Sequence, residues 1–310
     1  MNILFFILQI SFIPLASPLC VGIIRKLKAK LQNRQGASIF QPYQDLRKLF
    51  RKDEVISKDA SFIFRIAPFI VFAVTLAVGA SVPLFASFAN TAWSGDFLLV
   101  IYALAIGTFF LALAGLDVGG GFGGFGSSRE MTVSALAEGG FIFSLLTLAL
   151  ASGGTNLFHI AGTALLSQSQ LFLPVSLAFI GFVVILLAET ARYPFDNPAT
   201  HLELTMIHEA MILEYSGTRL ALMEWAAANK LLIFIALGAN LFFPWGIAHA
   251  ASFPALLISA LCFFAKIGLF CAAIAILESS MAKFRFFRLP DLLVISFILN
   301  VIAVGIIYSL

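Results

Sequence analysis

The chain has 310 residues, of which 61% are hydrophobic and only 11% charged, and its mean hydropathy is +1.01. Soluble domains carry roughly one-quarter charged residues, so this composition excludes an ordinary soluble fold. The formal charge of +3 reports loop topology and gives no sign of nucleic-acid binding.

Hydrophobic runs occupy 3–23, 62–86, 97–117, 133–152, 173–189, 220–243, 253–277 and 291–309. Each approaches or exceeds the roughly 20 residues a helix needs to cross a bilayer. None alternates apolar and polar residues as transmembrane strands do. The expectation is an all-α polytopic helical bundle with about eight spanning helices, forming a single integral membrane domain over 1–310.

The first run has no basic residues before it, and its positive charges follow it. That order predicts a retained helix rather than a cleaved signal peptide. Ser17-Pro18-Leu19-Cys20 lacks the small residues of a lipoprotein cleavage site. The segment that follows holds Arg25, Lys26, Lys28, Lys30, Arg34, Arg47, Lys48, Arg51, Lys52 and Lys58. Arg129 stands in the third loop, Arg192 and Arg219 in the fifth, and Lys283, Arg285 and Arg288 in the seventh. The even loops carry neither Lys nor Arg. The positive-inside rule then predicts cytoplasmic odd loops and both termini outside a prokaryotic cytoplasmic membrane.

Between Gly36 and Glu54, Ile39, Phe40, Tyr43, Leu46, Leu49 and Phe50 recur at helical steps among charged residues. The pattern describes an amphipathic helix in the cytoplasmic interface. It either anchors the chain to the lipid surface or docks a cytoplasmic partner, with Tyr43, Asp45 and Arg47 as docking candidates. Gly119 to Gly126 satisfies GxGxxG twice, but that pattern binds nucleotide only between a strand and a helix. A flexible cytoplasmic loop is expected there, with Asp117 at its membrane edge.

Glu138, Glu224, Lys230 and Lys266 lie within apolar runs. Charges at bilayer depth are costly and should face the bundle interior, one another or water. Glu224 and Lys230 are separated by about 9 Å of helical rise and point to different sides, so each needs a partner from another helix. The set reads either as buried ion pairs that fix packing or as a proton relay. Cys20, Cys262 and Cys271 have no paired spacing and cannot supply the about four thiolates of an iron–sulfur cluster; buried structural thiols are expected. His201 and His208 belong to no zinc pattern, and their expected part is polar packing or proton relay.

Glu189 to Ala221 carries Glu189, Asp196, Glu203, Glu209 and Glu214 with Arg192 and Arg219, set between two spanning runs. Such a cluster at a membrane boundary reads as a functional site or as a solvated loop between two helices, and Ile207, Met211 and Ile212 at near-helical spacing favour the former. Glu189-Thr190-Ala191-Arg192-Tyr193-Pro194-Phe195-Asp196, followed by Glu214-Tyr215-Ser216-Gly217, resembles the membrane subunit shared by respiratory complex I (subunit 1, or H) and membrane-bound [NiFe] hydrogenases. The stretch from Asp196 to Thr205 and His208-Glu209-Ala210-Met211 look like the formate hydrogenlyase and hydrogenase-4 branch. The short passage between Gln32 and Gln41 departs from the longer complex I form and weighs against quinone binding.

The resemblance implies a non-catalytic subunit without cofactors of its own. The [NiFe] centre and iron–sulfur clusters would sit in partner large and small subunits, with antiporter-like membrane subunits alongside. Glu138, Glu189, Glu203, Glu214 and Lys266 match positions where that family keeps ionisable residues, which implies a relay. Glu209, Glu224 and Lys230 complete the expected path, although complex I members place the sixth-helix acid nearer Ala227. Docking would involve Tyr43, Asp45, Arg47, Arg192, Asp196 and Arg219. The alternatives are a quinone-binding H subunit, a stand-alone secondary transporter, which would be expected to show inverted repeats, and a passive scaffold.

Overall fold

The computed structural model describes residues 2–87, 95–163, 165, 169–196, 206–249, 252–282 and 284–309. Glu203 and His201 lie outside these residues. The chain folds into α1 (Asn2–Leu31), α2 (Gln41–Leu49), α3 (Phe62–Ser81), α4 (Phe97–Asp117), α5 (Gly121–Ser152), α6 (Leu157–Gly162), α7 (Ser169–Glu189), α8 (His208–Ile212), α9 (Gly217–Leu237, continued by a π-helical turn Gly238–Phe242), α10 (Phe253–Ser280) and α11 (Leu289–Ser309). Among the described residues, eight helices are long and apolar enough to span a membrane. The protein is an all-α multi-pass membrane protein.

Local signals set the helix ends. Ser61, Asp96 and Asn156 each accept a backbone N–H two residues on, satisfying donors that a first helical turn leaves orphaned. Asp117 at the end of α4 accepts both the backbone N–H and the hydroxyl of Ser61, at 2.8 and 2.6 Å, tying α4 to the start of α3. Pro18 inside α1 has no N–H, which frees the carbonyl of Pro14 one turn back. The indole Nε1 of Trp225 on α9 donates to that carbonyl at 2.8 Å, the kind of replacement that makes proline tolerable in lipid.

The bundle packs α11 on α5 and α7, α3 on α4 and α9, and α1 on α9 and α10. Hydrocarbon offers no hydrophobic drive between helices, so close contact at small residues and interhelical hydrogen bonds matter most. Asn300 of α11 donates to the carbonyl of Gly140 on α5 at 2.9 Å, and Ser296 to that of Gly181 on α7 at 2.9 Å.

The glycine-rich stretch is helical, contrary to the loop expected for it. It forms the first turns of α5, which begins at Gly121. A Cβ on Gly123 would stand 2.2 Å from the carbonyl oxygen of Gly115 on α4, and one on Gly126 would stand 2.8 Å from Cβ of Ala210 on α8. Ser127 donates to the carbonyl of Ala112 on α4 at 2.8 Å. Gly123 and Gly126 permit close contact between elements, whereas Gly119, at φ +70° before α5 begins, supplies the conformational freedom of the turn.

The amphipathic segment is also shorter than its periodicity suggests. α2 opens with Pro42 in its first turn, where a missing N–H costs nothing. It buries Pro42 and Leu46 against α1 and α9 while Ile39, Phe40 and Phe50 remain exposed.

Candidate functional site: a buried charge cluster beneath an open cleft

The site is built where α7 stops. Ala191 adopts φ +49°, Arg192 N–H bonds the Leu187 carbonyl at 2.8 Å, and Ala191 N–H bonds that of Ala188 at 3.1 Å. This is a left-handed helix terminus of the kind glycine usually supplies. An alanine there carries strain on the order of 1 kcal/mol. The tight stop leaves Glu189 on the last helical turn and folds the following chain back against the bundle.

Glu189 pairs with Lys230 of α9 at 2.7 Å, and Lys230 also donates to the Thr108 hydroxyl of α4 at 3.3 Å. Lys230 lies about 20 Å of helical rise from Gly217, near the middle of its span. The side chains of Glu189 and Lys230 are 8% and 17% exposed, so neither charge is tolerable there without the other. Both line a cavity of about 60 Å³ together with Glu130, Thr75, Thr108, Thr190 and His208. Those polar groups stand in a mainly apolar lining and are the partners that water in the cavity needs. Glu130 is buried. Along α5, Glu130, Ser134 and Glu138 recur at four-residue steps on one face, and Ser134 donates to Glu138 Oε1 at 3.4 Å. Glu138 feels the charges of both Glu189 and Lys230.

Above this cavity lies a larger cleft of about 430 Å³, on the side that bears the basic loops. Arg25, Asp45 and Lys52 line it from α1, α2 and the chain after α2. Arg192, Asp196, Glu209 and Glu224 line it from the segments around α8 and α9. Thr190, Ala191, His208 and Ala227 border both cleft and cavity. These four residues form a shared wall between the cleft and the charge cluster.

The expected site residues therefore divide. Glu189 and Lys230 form the cluster, with Glu138 beside it. Glu209 and Glu224 belong to the cleft; of the interior, partner and water alternatives expected for Glu224, it takes water, because α9 turns that face to the cleft. Glu214 is exposed. Lys266 is buried but stands apart from the cluster. It donates to Asn240 Oδ1 at 3.1 Å and the Phe243 carbonyl at 2.6 Å, and lies over the Trp245 ring. Its charge caps the carbonyl end of the π-helical turn, as cations favour helix C-termini.

Two docking candidates that line the cleft also make internal contacts. Arg192 is buried and pairs with Glu278 at 3.1 Å. Asp196 is buried and accepts the backbone N–H groups of Ile207 and His208, each at 3.1 Å. Both residues hold the folded-back segment in place. Arg219 pairs with Glu54 and donates to the Arg65 carbonyl, and the Tyr43 hydroxyl donates to the Leu15 carbonyl, fixing α2 to α1. Arg47 is exposed, and Asp45 is partly so.

Glu130 escaped sequence reasoning because it followed the glycine run taken for a loop. Its four-residue spacing to Ser134 and Glu138 was the available signal. Cys20 and Cys271 are unpaired in sequence but meet across α1 and α10, with Sγ atoms 3.1 Å apart.

This fold, with acids and a lysine buried beneath a cleft on the basic side, defines a complex I-like membrane subunit. The NADH dehydrogenase family profile matches residues 2–309, and the chain belongs to that family, whose members include complex I subunit 1 or H. Among its relatives is Hydrogenase-4 component C of Escherichia coli (strain K12), 34% identical over 302 residues, covering 97% of this chain and 94% of the relative. Formate hydrogenlyase subunit 4 of the same strain is 30% identical, covering 92% of each. NADH-ubiquinone oxidoreductase chain 1 of Chondrus crispus is 28% identical, covering 76% and 75%. A chain in the structure of the membrane-bound sulfane sulfur reductase, an archaeal respiratory membrane complex, has the same fold. Its TM-score is 0.78 at 20% identity, with 97% and 99% of the two chains covered.

Proposed function

We propose that this chain is the membrane anchor of a membrane-bound nickel–iron hydrogenase complex of the hydrogenase-4 and formate hydrogenlyase type. In this reading it docks the peripheral electron-transfer arm and couples redox turnover to proton or sodium movement. The relatives of highest identity quoted above support the hydrogenase branch. One observation carries the coupling: Glu189, at the end of α7, pairs at 2.7 Å with Lys230, near the middle of α9, in a cavity that shares a wall with the cleft. Buried carboxylates in such paths serve recurrently as proton relays.

The positive-inside rule, applied to the basic loops, supports a cleft on the cytoplasmic side of a prokaryotic cytoplasmic membrane. The peripheral arm, with its [NiFe] centre and clusters, would sit over the cleft and over exposed Arg47 on α2. Electrons stay in that arm. A change of charge there alters the field at Glu209 and Glu224, and ions move through Glu130, Glu189, Lys230 and Glu138 toward antiporter-like membrane partners.

The test is Glu189→Gln in the purified complex, reconstituted in proteoliposomes with size exclusion as the measure of assembly. The variant keeps shape and hydrogen bonding but cannot ionise. An assembled complex should move severalfold fewer protons per electron. Unchanged proton movement in an assembled variant refutes the coupling role and leaves the cluster a structural pair.

A further inference from the structure

His208 is the first residue of α8 and lines both the 430 Å³ cleft and the 60 Å³ cavity. Its Nε2 is out of solvent and meets no hydrogen-bond partner among the described residues. A buried ring nitrogen without a partner is costly, and an apolar side chain would avoid that cost. The backbone around it is firmly held: Asp196 accepts its N–H at 3.1 Å, and α8 packs on α5 and α4. The backbone of His208 is therefore fixed in the wall, while its ring keeps one nitrogen available.

We propose that His208 is the proton door between the cleft and the buried cluster. Cleft water protonates one ring nitrogen, the other releases its proton to the carboxylate of Glu130 or Glu189, and a ring flip restores the starting tautomer. Neutral imidazole offers one donor and one acceptor, the minimum for such transfer. This inference rests on the coupling reading above.

The charges around the ring suit passage better than storage. Asp196 approaches from the folded-back segment, Lys230 from α9 and Glu130 from α5; α4 brings only the Thr108 hydroxyl to the cavity. Burial holds the ring well below the usual histidine range, at about 4; Asp196 opposes this and Lys230 adds to it. The resting ring is neutral at pH 7, and a proton arriving on it is passed on.

The experiment uses the whole complex in proteoliposomes, driven by reduced methyl viologen, with protons moved per electron as the readout. His208→Gln keeps a hydrogen-bonding end but cannot accept a proton; it should lower the ratio severalfold. His208→Ala should lower it equally, and added imidazole, reaching the wall through the cleft, should restore it. A packing role would not respond to imidazole. Wild-type ratios in both His208 variants, beside a Glu189→Gln complex that has lost proton movement, would overturn the door and leave the coupling reading intact. Loss in His208→Ala without imidazole rescue assigns the ring to packing and also overturns it. Unchanged proton movement in Glu189→Gln sinks the coupling reading and the door together.

Discussion

Glu278 offers the sharpest test of what holds the site together. It ends α10 with its side chain 2% exposed, binding Arg192 through Oε1 and Lys28 through Oε2, both at 3.1 Å. One carboxylate thus joins α1, α10 and the segment that folds back after α7. At that separation each attraction is about 5 kcal/mol in an effective dielectric of about 20, most of it offset by desolvation. The two arms differ in exposure. Arg192 is 10% exposed and would be left buried without a countercharge, whereas Lys28 is 21% exposed on a flexible stem that reaches water. Glu278→Gln should therefore cost about 3–5 kcal/mol, mainly through Arg192, with Lys28 contributing at most about 1 kcal/mol. Thermal unfolding of the complex in mild detergent measures the loss. The double variant Glu278→Met, Arg192→Met should recover most of it, since neither charge is then stranded. Glu278→Gln within about 1 kcal/mol of the parent, or a double variant no better than the single, would refute the reasoning.

Gly123→Ala should separate α4 from α5, because the new Cβ meets backbone 2.2 Å away and no side chain can yield. A loss of about 1–3 kcal/mol is expected, and a neutral result in the same unfolding assay would restore the loop reading. A cysteine at exposed Ser128, at the basic end of α5, should react with an impermeant maleimide only after intact cells are permeabilised. Labelling from outside would invert the proposed orientation.

Much of the architecture was legible in the chain because the bilayer imposes length and polarity on every span. The eight apolar runs became the eight spanning helices, and the need of Lys230 for a partner on another helix was met by Glu189. Errors arose where composition has two physical meanings. Glycine at 119–126 serves equally for a flexible loop or for a close helix crossing, and only the neighbouring Gly115 backbone decides for the crossing. Arg192 and Asp196 remain docking candidates at the cleft, but their internal contacts are not legible in the chain. Glu278, 86 residues from Arg192, makes the one an internal bridge, and the backbone of α8 makes the other a cap.

The sequence by itself determined the class of protein, the number of spans and the segment that carries the site. These depend on local hydropathy and on a motif contiguous in the chain. The tertiary structure alone decided which acids meet. It joined Glu130 and Glu189 to Lys230, turned Glu224 to the open cleft, set Lys266 apart on the π-helical turn and placed His208 in the wall between cleft and cavity. A charge at bilayer depth requires a partner but does not name one, because the choice depends on helix rotation, on the left-handed stop at Ala191 and on crossings of elements far apart in the chain.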